Sequence, residues 1–110
     1  MDNDDDDEFK VREVTALQLK AMLEGENPPY LLDVREGWEV AQGMLPNAVH
    51  IPMNSVPGRI SEIPQDQPVV VYCAAGSRSY SVTAFLLENG FTNISNLDGG
   101  IHAWAAVKRP

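Results

Sequence analysis

The run from Val69 to Gly90, VVVYCAAGSRSYSVTAFLLENG, constrains this chain more than any other stretch. Val69-Val70-Val71-Tyr72 is apolar and mostly β-branched, which suits a strand buried on both faces. Cys73, the only cysteine, comes next, followed by the small residues Ala74, Ala75, Gly76 and Ser77 and then by Arg78. From Ser79 onward Val82, Phe85, Leu86 and Asn89 recur at three and four residues, the helical period, and Gly90 reads as the stop just past the helix. The stretch is therefore read as buried strand, tight loop and helix, with a thiol at the carboxyl end of the strand.

That position has chemical consequences. A loop wound into a helix start turns several backbone N–H groups inward and adds the positive end of the helix dipole, so it favours an anion. A cysteine placed there ionises more readily, because the thiolate is the stabilised form. Arg78 adds a permanent cation beside it. Such a cradle suits a thiolate, a persulfide or a bound oxyanion. The bland alternative is an inert thiol closing a core strand; the small-residue loop, Gly76 and Arg78 together favour the reactive one.

At 110 residues the chain has the length of one domain with one core. Its net charge of −8 is uneven: Asp2, Asp4, Asp5, Asp6, Asp7 and Glu8 supply six of the sixteen acids. The remaining ten acids face eight bases. Residues 1–8 are thus expected to be a disordered acidic tail on a nearly neutral domain of residues 9–110. Nucleic-acid binding is disfavoured for want of a basic patch. No apolar run is long enough for a membrane span, and no secretory signal is visible. A lone cysteine forms no internal disulfide, which fits a reducing, cytoplasmic compartment. One Cys and two His exclude a Cys₄ or Cys₂His₂ zinc site, and no metal site is expected.

Along the chain, residues 9–14 alternate apolar and polar and read as a short strand. Thr15 with Gln18 reads as a capping box opening a helix that carries Leu17, Leu19, Met22 and Leu23. A second strand covers 30–34, a short helical piece 37–42 and a third strand 48–52. Val56, Ile60 and Ile63 suggest another short helix. A fifth strand is expected over 93–97 and a closing helix over 101–107. Strands alternating with helices predict an α/β fold with a mainly parallel sheet covered on both sides. Ligands of such sheets bind beyond the carboxyl ends of the strands, where Arg35, Cys73 and Asp98-Gly99 fall.

The loop CAAGSRS at 73–79 resembles the active-site loop of the rhodanese family, sulfurtransferase domains with a C-x-x-G-x-R-S pattern. LLDVRE at 31–36, PNAVHIP at 46–52, GF at 90–91 and LDGGIHAW at 97–104 agree with that family in order and spacing, so the resemblance spans about 11–107. It implies a five-stranded sheet in a three-layer α/β/α sandwich. It also implies that Cys73 is the nucleophile, taking sulfane sulfur from thiosulfate or another persulfide or thiol donor and passing it to cyanide or a thiol. The intermediate is a Cys73 persulfide, with neither metal nor organic cofactor. Ala74, Ala75, Gly76, Ser77, Arg78 and Ser79 form the substrate and anion loop, offering N–H groups to the sulfur. Ala74 and Ala75 stand where thiosulfate-using members with two basic residues after the cysteine carry more positive charge.

Several side chains keep two readings at this level. Ser79 is expected to cap the helix through its hydroxyl. Arg78 either faces an anionic donor or braces the loop against a carboxylate. Arg35, which the resemblance places in the pocket, either lines it or bridges to Asp33, Glu36 or Glu39. Asp33 is read as a structural acceptor, His50 as a satisfied core histidine, His102 as exposed or packing, and Trp38 and Trp104 as core or pocket wall. Expected partners are a small-molecule donor and a thiol acceptor, with a protein partner in a sulfur relay kept open, no nucleic acid and no membrane; a monomer is expected. The competing functions are a non-catalytic or partner-dependent sulfur-carrier module and a cysteine-based phosphatase or arsenate reductase. The phosphatase loop, C-x₅-R, is one residue longer than the C-x₄-R found here.

Overall fold

The strand at the heart of the chain is β4, Val69–Tyr72, with all four residues buried. A computed structural model describes residues 10–108. In it β4 lies between β2 (Tyr30–Asp33) and β5 (Ile94–Leu97), with β1 (Glu13–Val14) outside β5 and β3 (Val49–His50) outside β2. All four pairings are parallel, through registers such as Asp33↔Tyr72, Val71↔Asn96, Glu13↔Asn96 and Asp33↔His50. A parallel sheet buries both faces, and the alternation along β4 shows how. Val69, Val71 and Cys73 join Leu32, Val34, Ile51, Val82, Leu86 and Ile94 in one core. Val70 and Tyr72 join Ala16, Leu19, Leu31, Leu97 and Trp104 in the other. Helix α3 (Ser77–Glu88) covers the first face, and α1 (Ala16–Leu23) with α4 (Gly100–Lys108) covers the second. This is the expected five-stranded α/β/α sandwich.

Local chemistry sets the element limits. Thr15 and Gln18 form the reciprocal capping box that opens α1. Asn89 caps α3, and Gly90 follows at φ 95°, the left-handed stop expected there. Three expectations need correction. The first strand pairs only at Glu13–Val14, although Val11 is buried and the Arg12 carbonyl accepts from Asn96 N–H; Phe9 lies outside the described residues. The helix expected around Val56, Ile60 and Ile63 is two 3₁₀ pieces, Met53–Ser55 and Pro57–Glu62, because Pro57 lacks an N–H and Arg59 leaves helical geometry at φ −124°. Trp38 is 69% exposed, since α2 (Gly37–Val40) is one turn that buries none of its residues, whereas Trp104 is buried as expected. The acidic tail of residues 1–8 lies outside the described residues. No described helix is long and apolar enough to cross a membrane.

Candidate active site

Cys73 leaves the carboxyl end of β4 and the chain turns at once into α3. The turn is possible because Gly76, the N-cap, sits at φ 111°, a conformation a side chain resists. The loop then closes on the sulfur. Gly76 N–H points to Cys73 Sγ at 3.1 Å, Ser79 N–H at 3.4 Å and the Ser79 hydroxyl at 3.3 Å. Cys73 is only 1% exposed, and burial pushes its thiol up. Hydrogen bonds from the Ser79 hydroxyl and from the Ser79, Gly76 and Ala75 N–H groups outweigh that, and the thiol ends below its ordinary value. A sulfur hidden from water yet easier to ionise is the signature of a cradle built from dipoles.

The loop owes its shape to the start of α4. Ile101 N–H donates to the Cys73 carbonyl at 2.9 Å and His102 N–H to the Ala74 carbonyl at 3.1 Å. With those carbonyls tied to α4, the N–H groups that follow are left to face the sulfur. Gly100 makes the approach possible: it lies at φ 60°, and a Cβ there would run into the Ala74 carbonyl oxygen and come to 2.5 Å from that of Cys73. The Gly-Gly pair of the sequence is thus a close-packing surface for the cysteine loop.

Each expected residue has a definite place. Ala74 is half-buried, while Ala75 and Ser77 are exposed and small, so no bulky side chain of the loop's own closes it off. Arg78 is paired in a fork with Glu39 of α2, at 2.8 and 2.9 Å. The pair raises the Arg78 guanidinium pKa and lowers Glu39 to about 2 through the same hydrogen bonds. Of the two readings of Arg78, the geometry shows the brace, with the guanidinium still near enough to feel the charge of Cys73. Ser79 does not cap the helix as expected. It sits inside the first turn, fully buried, with its hydroxyl on the sulfur and on the Gly76 carbonyl.

Arg35 takes the bridging reading, to Asp33. Its Nε and Nη2 grip the fully buried Asp33 at 2.7 to 3.1 Å, Nη2 also reaches the Gly43 carbonyl at 2.7 Å, and Nη1 reaches the Glu39 carbonyl at 3.5 Å. The guanidinium stacks over Tyr72, 5.7 Å from the ring centre. Burying two charges is tolerable only with such full pairing, so these donors are committed to the fold. Asp33 is the structural acceptor expected of it. His50 Nε2 meets the Arg35 carbonyl at 2.7 Å, which makes it the satisfied histidine, and His102 is exposed.

Two partnerships were not singled out from sequence. Glu39 lies 39 positions from Arg78, and no local pattern links them. Asn96 donates its side-chain amide to the Gly76 carbonyl at 3.2 Å and to Glu13 at 2.8 Å. Its signal was present: a carboxamide in a strand otherwise destined for burial.

The comparisons with known proteins agree with this geometry. The family model described as "Rhodanese-like domain" matches residues 15–107. The chain is 44% identical over 95 residues to a protein of Allochromatium vinosum named "Sulfurtransferase", covering 86% of this chain and 89% of that one. It is 39% identical over 102 residues to the "Putative sulfurtransferase YtwF" of Bacillus subtilis, covering 93% and 98%. Among solved structures, the rhodanese-like domain protein of Staphylococcus aureus superposes with a TM-score of 0.81 at 35% identity, covering 86% and 91%. With the cysteine loop, the sheet order and these relatives in agreement, the chain belongs to the rhodanese-like domain family.

Proposed function

We propose that the protein is a sulfurtransferase that moves sulfane sulfur from a donor to a thiophilic acceptor through a persulfide on Cys73. The observation that carries this is the convergence of Gly76 N–H, Ser79 N–H and the Ser79 hydroxyl on one sulfur atom at a strand's carboxyl end. The names of the relatives support the same reaction class.

In the first step the Cys73 thiolate attacks the outer sulfur of the donor. A new S–S bond forms, and the donor's own bond to that sulfur breaks. The donor leaves with the electron pair, as sulfite from thiosulfate, as a thiolate from an organic persulfide or as the enolate of pyruvate from 3-mercaptopyruvate. In the second step cyanide or a thiolate attacks the outer sulfur of the persulfide, and the Cys73 thiolate departs with the bonding pair. Every bond made or broken is to sulfur, so the cycle needs no metal or organic cofactor. The N–H groups hold the negative charge wherever it sits during both steps. The nearby cations are already paired, Arg78 with Glu39 and Arg35 with Asp33. Among the described residues dipoles rather than a free cation therefore hold the sulfur, which suits a low-charge persulfide donor at least as well as thiosulfate. A protein persulfide in a relay is a donor of the same chemistry, and a reducing compartment suits the single thiol.

The test is intact-protein mass spectrometry after incubation with thiosulfate and, separately, with 3-mercaptopyruvate. The expected result is a gain of one sulfur atom with at least one donor, removed by cyanide and absent in Cys73→Ser. A gain that survives in Cys73→Ser, or none with either donor, overturns the proposal as written.

A further inference from the structure

Asn96 is an odd occupant of β5. It is fully buried, with Ile94 and Leu97 of the same strand in the two cores. Its Nδ2 faces two acceptors, the Gly76 carbonyl and Glu13 Oε2, which fixes the orientation of the amide. Its Oδ1 is buried with no hydrogen-bond partner among the described residues. An unpaired buried oxygen is destabilising, and an apolar side chain would avoid it. The amide must therefore serve something beyond packing.

The purpose lies in counting protons around Gly76. The Ser79 hydroxyl has one proton and two acceptors, Cys73 Sγ and the Gly76 carbonyl, each 3.3 Å away. That distance is long for O–H···O and ordinary for a bond to sulfur. The Gly76 carbonyl already receives Tyr80 N–H at 3.1 Å and the Asn96 amide at 3.2 Å, which fills both of its lone pairs. A carbonyl so occupied has no need of the Ser79 proton. We infer that Asn96, held from its other side by Glu13, is a positioning residue that saturates the Gly76 carbonyl and so commits the Ser79 hydroxyl to the Cys73 sulfur.

The inference concerns the same thiol as the sulfur-transfer reading, but its test does not depend on transfer. Cys73 is the only cysteine, so alkylation by iodoacetamide across a pH series reads its apparent pKa in the full chain. The charged group on α3 that feels the sulfur is Arg78, paired with Glu39 of α2, and Glu13 of β1 reaches the loop through Asn96. On α4 and the turn before it, His102 and Asp98 are exposed. Of these groups Asn96→Ala releases only Glu13, which loses its amide donor.

Ser79→Ala is expected to raise the apparent thiol pKa by about one unit, the scale of one lost hydrogen bond to the charged form. Asn96→Ala is expected to raise it by about half a unit or more. The double variant should lie no higher than Ser79→Ala alone, because the proton that Asn96 releases is gone. A residue that merely stabilised the strand would lower the melting temperature in both backgrounds and leave the pH profile in place. An unchanged profile in folded Asn96→Ala, or additive shifts in the double variant, overturns the inference. If Asn96→Ala does not fold, Glu13→Ala at an exposed position carries the test: a smaller rise is expected, absent in the Ser79→Ala background, and no rise overturns the inference.

Discussion

At the scale of single residues, the site separates groups that touch the sulfur from groups that hold the loop. Gly76 and Ser79 touch it; Arg78, the residue most easily taken for a substrate clamp, is held by Glu39 in a two-point fork. The fork has a kinetic consequence. Arg78→Ala is expected to lower kcat/KM for doubly charged thiosulfate and for an alkyl persulfide of lower charge by similar factors, about fivefold to tenfold, the scale of a part-buried ion pair lost from a brace. Steady-state assays with both donors check this. A loss confined to thiosulfate would instead place the guanidinium on the donor. Sequence could not choose between these readings, because it shows neither the direction of a side chain nor a carboxylate 39 positions away. Arg35 illustrates the same limit. The DVR segment was legible as a strand end, but the burial that commits its guanidinium to Asp33 arises only when β2 meets its neighbours in the sheet.

At the scale of elements, the strand, loop and helix around Cys73 were legible because the pattern changes there from a continuous apolar run to a three-and-four spacing. The 3₁₀ pieces were not, since Val56, Ile60 and Ile63 keep a helical spacing while Pro57 and Arg59 break the helix between them. Helix α2 is too short to be read for burial, so Trp38, expected in the core or a pocket wall, stands outward. That one-turn element earns its place through Glu39, which ties α2 to α3. The tie sets an acid dependence of stability. Folding lowers Glu39 from its ordinary 4.5 to about 2, through the Arg78 hydrogen bonds first and the Glu36 backbone N–H second. A carboxyl depressed in the folded state contributes stability that is complete above pH 4.5 and is lost as pH falls toward 2. Thermal melts of the native chain and Glu39→Gln should therefore differ most at neutral pH and converge between pH 4.5 and 2. A gap that stays constant over that range would show that the ion pair does not carry the stabilisation.

At the scale of the whole molecule, parallel pairing sends the carboxyl ends of every strand to one edge, so segments distant in sequence meet there without any local signal. β4 brings Cys73, β5 brings the turn whose glycines press on the loop, and β1, the far edge strand, brings Glu13 to Asn96. The alternation of elements predicted the sheet; it did not predict that the outermost strand would reach the thiol through a buried amide. This makes the position of an N-terminal truncation informative. Removal of residues 1–8 takes away six acids and leaves β1 whole, so stability is expected to stay within about 0.5 kcal/mol and turnover to stay near that of the full chain. Removal of residues 1–14 deletes β1, opens the edge of β5 and strips Asn96 of its Glu13 acceptor. That variant should melt at a lower temperature, and the Cys73 thiol in its folded fraction should titrate higher. Urea denaturation and iodoacetamide pH profiles on the two truncations check both statements. A large loss on removing residues 1–8 would give the acidic run a role beyond solvation, and an unshifted thiol after removal of residues 1–14 would uncouple the edge strand from the active-site loop.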